Sequence, residues 1–112
     1  MKLSVLEKEL DLKLLTECDY DDREVTGGYV GDLLSWVMGR ARTGDVWITI
    51  MSNINIVAVA TLTDCACILL SEGVIPDENV IEKANSQDIV IMSSELSSYE
   101  LSTKIGELIK NA

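Results

Sequence analysis

The chain has 112 residues, enough for a single domain with its own core, and its 19 acidic against 9 basic side chains leave a formal net charge of −10. No basic cluster stands out of that balance, which speaks against DNA, RNA or anionic lipid as partners, because phosphate backbones select for lysine and arginine. There is no histidine, which removes the commonest general base, the Ser-His and Cys-His nucleophile pairs and most zinc and copper chemistry, so no enzyme and no cofactor are expected.

Ser4 to Leu10 predicts an opening helix, with Ser4 as N-cap and Glu7 closing a capping box. Leu12, Leu14 and Leu15 then read as a strand that ends before an acidic loop from Cys18 to Asp22. Next come Gly27, Gly28 and Gly31, just ahead of an apolar helical pattern, where many proteins hold a phosphate. A P-loop needs lysine after its last glycine. Here Asp32 follows Gly31, and its carboxylate is suited to capping the helix and repelling an anion. The dinucleotide-binding spacing fails as well, because Gly27 and Gly28 are adjacent. The glycines therefore predict a turn requiring positive φ, followed by a helix that Asp32 caps. On that helix Leu33, Leu34, Val37, Met38 and Ala41 share one face, Arg40 and Arg42 favour the dipole at its end, and Thr43-Gly44 stops it. At ~100° per residue Trp36 lies roughly 130° from the middle of the apolar face, at the rim or in solvent.

Three apolar runs without polar alternation follow, Val46–Met51, Cys65–Leu70 and Ile89–Met92. Such runs belong to strands buried on both faces, as in a parallel sheet, and parallel neighbours need crossovers. Pro76-Asp77 opens one crossover helix, with Val80, Ile81 and Ala84 on its inner face, and Leu96 to Ile109 supplies a closing helix. The segment from Ile54 to Leu62 has the propensity of a strand. Lying between two parallel strands, it is expected instead to be a buried crossover helix, capped by Asn53 or Asn55. The N-terminus MKLSVLEKELDLKLL is charged throughout and reads as neither signal peptide nor membrane span, so the cytoplasm is the default location. Cys18, Cys65 and Cys67 read as reduced, buried thiols. Cys65 and Cys67 would share a strand face, but one chain supplies too few ligands for a closed metal site, and only a dimer that pooled them could complete one.

Asp22-Arg23, Thr26-Gly27-Gly28 and the continuation from Tyr29 to Ser35 resemble the signature of the DRTGG domain family. The likeness continues through Val46–Thr49, Asn55–Asp64, the corner from Glu72-Gly73 to Pro76-Asp77, and Ala84. The resemblance implies one domain over residues 1–112. Its fold would be an α/β three-layer sandwich with a small, mostly parallel sheet, like the N-terminal domain of HPr kinase/phosphorylase. It also implies an accessory role, since relatives sit beside nucleotide-sensing CBS modules in regulated pyrophosphatases and in some phosphotransacetylases. It carries over no catalytic residue.

Two functions are expected from different classes. The first is a non-catalytic regulatory module that forms a homodimer and acts in trans on an enzyme or sensor protein, with Trp36 and Tyr29 as interface anchors. The alternative is a sensor of a small molecule such as a nucleotide. Ligands of open parallel sheets lie beyond the carboxyl ends of the strands, where Thr49, Ser52, Asn53 and Asn55 follow one strand and Ser71, Glu72 and Gly73 another. Asp22, Arg23 and Thr26, with the adjoining Gly27 and Gly28, are expected to reach that same edge. Arg23, bracketed by Asp21, Asp22 and Glu24, also reads as an ordinary ion-pair partner.

Overall fold

A computed structural model describes all residues except Asp19 and Asp21, so the middle of the expected acidic loop lies outside the described residues. The elements run α1 (Leu3–Glu9), β1 (Lys13–Leu14), β2 (Gly27–Val30), α2 (Leu34–Arg40), β3 (Asp45–Thr49), α3 (Asn55–Thr63), β4 (Cys67–Leu70), α4 (Glu78–Ser86), β5 (Ile91–Ser93) and α5 (Ser98–Lys110). One sheet has the order β1-β5-β4-β3-β2. Strands β2 to β5 are parallel, and β1 runs antiparallel along β5.

β2, β3 and β4 are each followed by a helix and then by their own spatial neighbour. Right-handed crossovers of this kind place α2, α3 and α4 on one face. The core divides accordingly. Val46, Ile48, Cys67, Leu69 and Met92 pack with Leu3 and Leu6 of α1 and Leu101 and Ile105 of α5. Trp47, Ile68, Leu70 and Ile91 pack with Val37, Ile56, Val57, Val80 and Ala84 of the three crossover helices. Alternate residues of each strand thus serve opposite cores, which is why these strands are apolar without interruption. The result is the expected three-layer α/β sandwich. Trp47, fully buried, anchors the second core, and its Nε1 donates to the Gly31 carbonyl at 2.9 Å.

Val46 to Thr63 carries no charged side chain, yet it is divided between strand β3 and the crossover helix α3. Among the described residues no helix is long and apolar enough to cross a membrane. That α3 is a helix agrees with the crossover argument. At its entry the Asn53 side chain accepts the Asn55 amide at 2.9 Å.

Several local expectations need correction. Ser4 lies inside the first turn of α1 rather than at its cap, and Glu7 accepts the Tyr20 hydroxyl instead of closing a capping box. Gly27 and Gly28 lie in strand β2, and Gly27, Gly28 and Gly31 all have ordinary negative φ; the glycines with positive φ are Gly44 and Gly73. The turn argument therefore fails, and a fifth strand that the sequence reading passed over takes its place. Asp32 does not cap α2, which begins two residues later; its carboxylate accepts the Thr49 hydroxyl at 2.8 Å and the Ile50 amide at 3.0 Å. Val37 is the buried residue of α2, whereas Leu33 and Met38 are 60% and 46% exposed. The helix is too short to wrap a wide stripe onto the sheet. Cys65 and Cys67 do not share a face, since Cys65 precedes β4 and packs toward the crossover helices while Cys67 packs toward α1 and α5.

Candidate binding surfaces

The residues of the sequence signature gather at the amino edge of the sheet, opposite the edge at which they were expected. Asp22 reaches the first turn of α1, where its two carboxylate oxygens accept the Ser4 amide at 2.9 Å and the Ser4 hydroxyl at 2.8 Å. It therefore supplies from a distant loop the cap that α1 lacks. The Ser4 amide bond, then the Ser4 hydroxyl bond, hold its pKa below the ordinary 3.8. Arg23 donates to the Ala66 carbonyl at 3.2 Å and the Asp88 carbonyl at 2.5 Å, tying the start of β4 to the turn between α4 and β5. The ion-pair reading of Arg23 involves Asp21, which lies outside the described residues; Asp22 and Glu24 are engaged with Ser4 and with the Met1 amine and Lys2. The Thr26 amide donates to Gly44 at 3.0 Å. A Cβ on Gly27 would meet an Asp45 carboxylate oxygen at 3.0 Å, whereas one on Gly28 would meet only the Val46 carbonyl at 3.4 Å.

Beside Arg23 a cleft of about 540 Å³ opens between the ends of α3 and α4, with Glu24, Asp64, Asp88, Thr61 and Gln87 in its walls. Three carboxylates against one guanidinium make it unsuited to an anion. A second groove, about 590 Å³, runs between α3 and α4 over Ile54, Val57, Ala58 and Leu62.

The carboxyl edge holds Thr49, Asn53, Asn55, Glu72 and Gly73, as expected, but much of its hydrogen-bonding capacity is used within the chain. Thr49 is bound to Asp32 and Asn53 to the α3 entry. Ser71 and Ser98 share a hydroxyl contact of 2.7 Å. Asn55 is exposed on the first turn of α3. Glu72 and Gly73 adopt φ values of 60° and 72°, with their amides donating to Leu96 and Ser94 carbonyls at 2.9 and 2.8 Å. A left-handed glutamate is unfavourable by about 1–2 kcal/mol, so this corner is held by its surroundings.

The proposed anchors lie at the open end of the sheet. Trp36 is 55% exposed, and the Arg40 guanidinium sits over its ring with 4.0 Å from Cζ to the centroid. Tyr29 is half-buried against the core of the crossover helices, so it presents less surface than expected. Val30, Leu33 and Met38 are also exposed nearby in sequence.

The buried thiols offer little chemistry. Burial pushes Cys65 up to about 11 and Cys67 higher still, so both are neutral and unreactive. Among the described residues no three Cys, Asp or Glu side chains cluster as a metal-ligand set. Arg40 and Arg42, read from the sequence only as helix-end charges, lie together in one cleft beside β2. Their signal was two arginines within three positions of a strongly acidic chain.

Residues 6–108 match the family model of the DRTGG domain. No curated protein matches the sequence. Among solved structures, the chain is similar to the CBS and DRTGG domains of the regulatory region of Clostridium perfringens pyrophosphatase, complexed with its activator diadenosine tetraphosphate. The TM-score is 0.72 at 17% identity, over 90% of this chain and 44% of that one. The chain thus spans less than half of that structure.

Proposed function

The chain belongs to the DRTGG domain family, and on that footing we propose that it is a non-catalytic regulatory module that self-associates and acts in trans on an enzyme or sensor protein. The observation that carries this reading is the apolar, aromatic surface at the start of α2, with Leu33 just before the helix at 60% and Trp36 within it at 55% exposure. Copies of a chain with net charge −10 repel one another, so association requires an apolar contact large enough to offset that field. Trp36 is the kind of anchor such contacts use. The lack of histidine and the neutral thiols support a role without catalysis. Light scattering across the micromolar range tests the reading. A homodimer is expected, and a monomer at every concentration overturns self-association.

A second reading is ligand sensing at the carboxyl edge, by Asn55 and the Glu72-Gly73 corner. It is favoured by the left-handed Glu72 and by the similarity to a regulatory region that binds a nucleotide activator. Glu72→Gly would relax the corner. A nucleotide that raises the melting temperature of the wild type, but not of this variant, is the expected result; a nucleotide that stabilises neither protein removes this reading.

A further inference from the structure

Only 9 basic residues serve this acidic chain, and two of them, Arg40 and Arg42, line one cleft at the outer edge of the sheet. The cleft, about 390 Å³, lies between β2 and the turn joining α2 to β3, with Thr26 and Gly28 on the strand side and Thr43 and Asp45 on the turn side. Among the described residues neither guanidinium is ion-paired. An aromatic face, Trp36, holds Arg40 instead. Stacking of that kind leaves the guanidinium N–H groups, which lie in its own plane, available to an acceptor. Asp45 brings the one negative charge, and one of its oxygens is already bound to the Arg42 amide at 2.8 Å.

The strand itself leaves the cleft open. β2 is an edge strand, paired with β3 alone, so its outward backbone groups have no partner in the sheet. Gly28 is extended, and a Cβ there would make only an ordinary contact. A Cβ would be tolerated at Gly28, which also lines the groove against α5, so the bare strand leaves room for close approach there. The cleft beside Arg23 has the opposite electrostatics, with Glu24, Asp64 and Asp88 outweighing its single guanidinium.

We propose that this edge cleft binds a small phosphate-bearing polyanion. Arg40 and Arg42 clamp phosphate oxygens through forked N–H groups, and the Thr26 and Thr43 hydroxyls and the bare β2 edge provide further donors. No helix begins there to lend a positive dipole end; α2 ends there, and the two guanidinium charges must outweigh the partial negative charge of its last carbonyls. The site does not depend on self-association, and a monomer that binds the anion would uphold it while refuting the dimer.

The test is isothermal titration of the intact protein with sodium tripolyphosphate at low salt. One saturable site is expected, with affinity at least tenfold weaker in the Arg40→Gln/Arg42→Gln double variant and unchanged in Lys104→Gln, a change on exposed α5. Both altered arginines are exposed, so circular dichroism should report an intact fold. Parallel titrations with ATP and citrate separate the sources. Tighter binding of ATP identifies a nucleotide, and equal binding of ATP and tripolyphosphate identifies the phosphate chain alone; either supports the site. No saturable binding, equal loss in Lys104→Gln, or citrate binding as tightly as tripolyphosphate overturns the proposal.

Discussion

Replacing Trp36 with alanine removes the largest exposed side chain of α2. A tryptophan offers up to ~250 Å², so at 55% exposure about 130 Å² stands in water. At ~25 cal/mol per Å² its complete burial would be worth about 3 kcal/mol per protomer. The alanine keeps Cβ and interface packing is imperfect, so about 2 kcal/mol per protomer, or about 4 kcal/mol per symmetric dimer, is the working figure. At 1.4 kcal/mol per decade that weakens dimerisation by about a thousandfold. Loss of the Arg40 stack adds about 0.5–1 kcal/mol within each protomer, not across the contact. Val37 rather than Trp36 is buried, so the fold should survive. Sedimentation velocity across the micromolar range, with circular dichroism beside it, reads both quantities. The expectation is a wild-type dimer and a folded monomeric variant. A dimer whose constant is unchanged would refute α2 as the interface, and an unfolded variant would refute the placement of Trp36 outside the core.

The two kinds of glycine should part in thermal melts. Gly28→Ala leaves stability unchanged or raises it by ~0.4–1 kcal/mol. Gly44→Ala, at φ 86° with its Cβ driven into Thr26, lowers stability by about 1–2 kcal/mol or more. Equal losses at both positions would contradict the strand assignment. Asp22 has a folded pKa below its ordinary 3.8, so its contribution is present above that value and disappears as pH falls through the lower folded value. Asp22→Asn should therefore lower the melting temperature at neutral pH and converge with the wild type in acid; a constant difference at all pH values would argue against the charged cap. With Cys65 and Cys67 buried and neutral, a thiol reagent at mildly alkaline pH should label only Cys18 in the folded protein. Labelling of Cys67 at the rate of Cys18 would place it wrongly.

The parallel core was legible because burial on both faces leaves a plain mark, an uninterrupted apolar run. Val46–Met51, Cys65–Leu70 and Ile89–Met92 carry it, and the resulting strands β3, β4 and β5 differ from them only at their ends. Topology then recovered α3 against propensity, since Ile54–Leu62 had to return the chain to the same edge. β2 was not legible, because glycine disfavours strands and an edge strand needs only one partner to form. The side-chain networks were hidden for a different reason. Asp22 with Ser4, Arg23 with Ala66 and Asp88, and Asp32 with Thr49 join positions far apart in sequence, and only the tertiary path brings them within hydrogen-bond reach.

That path also explains what the signature can and cannot reveal. Asp22 caps α1 in one outer layer, Arg23 spans β4 and the turn before β5, and the Thr26 amide meets the turn before β3. The five residues before β2 thus link three separate parts of the fold at the amino edge of the sheet. The Asp22 oxygens accept the Ser4 amide and hydroxyl, and the Arg23 guanidinium donates to the Ala66 and Asp88 carbonyls; turning either group to a ligand would give up bonds worth about 0.5–1.5 kcal/mol each. Asp22 and Arg23 are therefore poor candidates for recognition, although they mark the family. The groups around β2 and α2 that stay exposed are Arg40, Arg42 and Trp36, and on the proposals above they, not the signature residues, make the contacts. A small domain that fixes its edge strand with one set of side chains can vary its partner through another without disturbing the sheet.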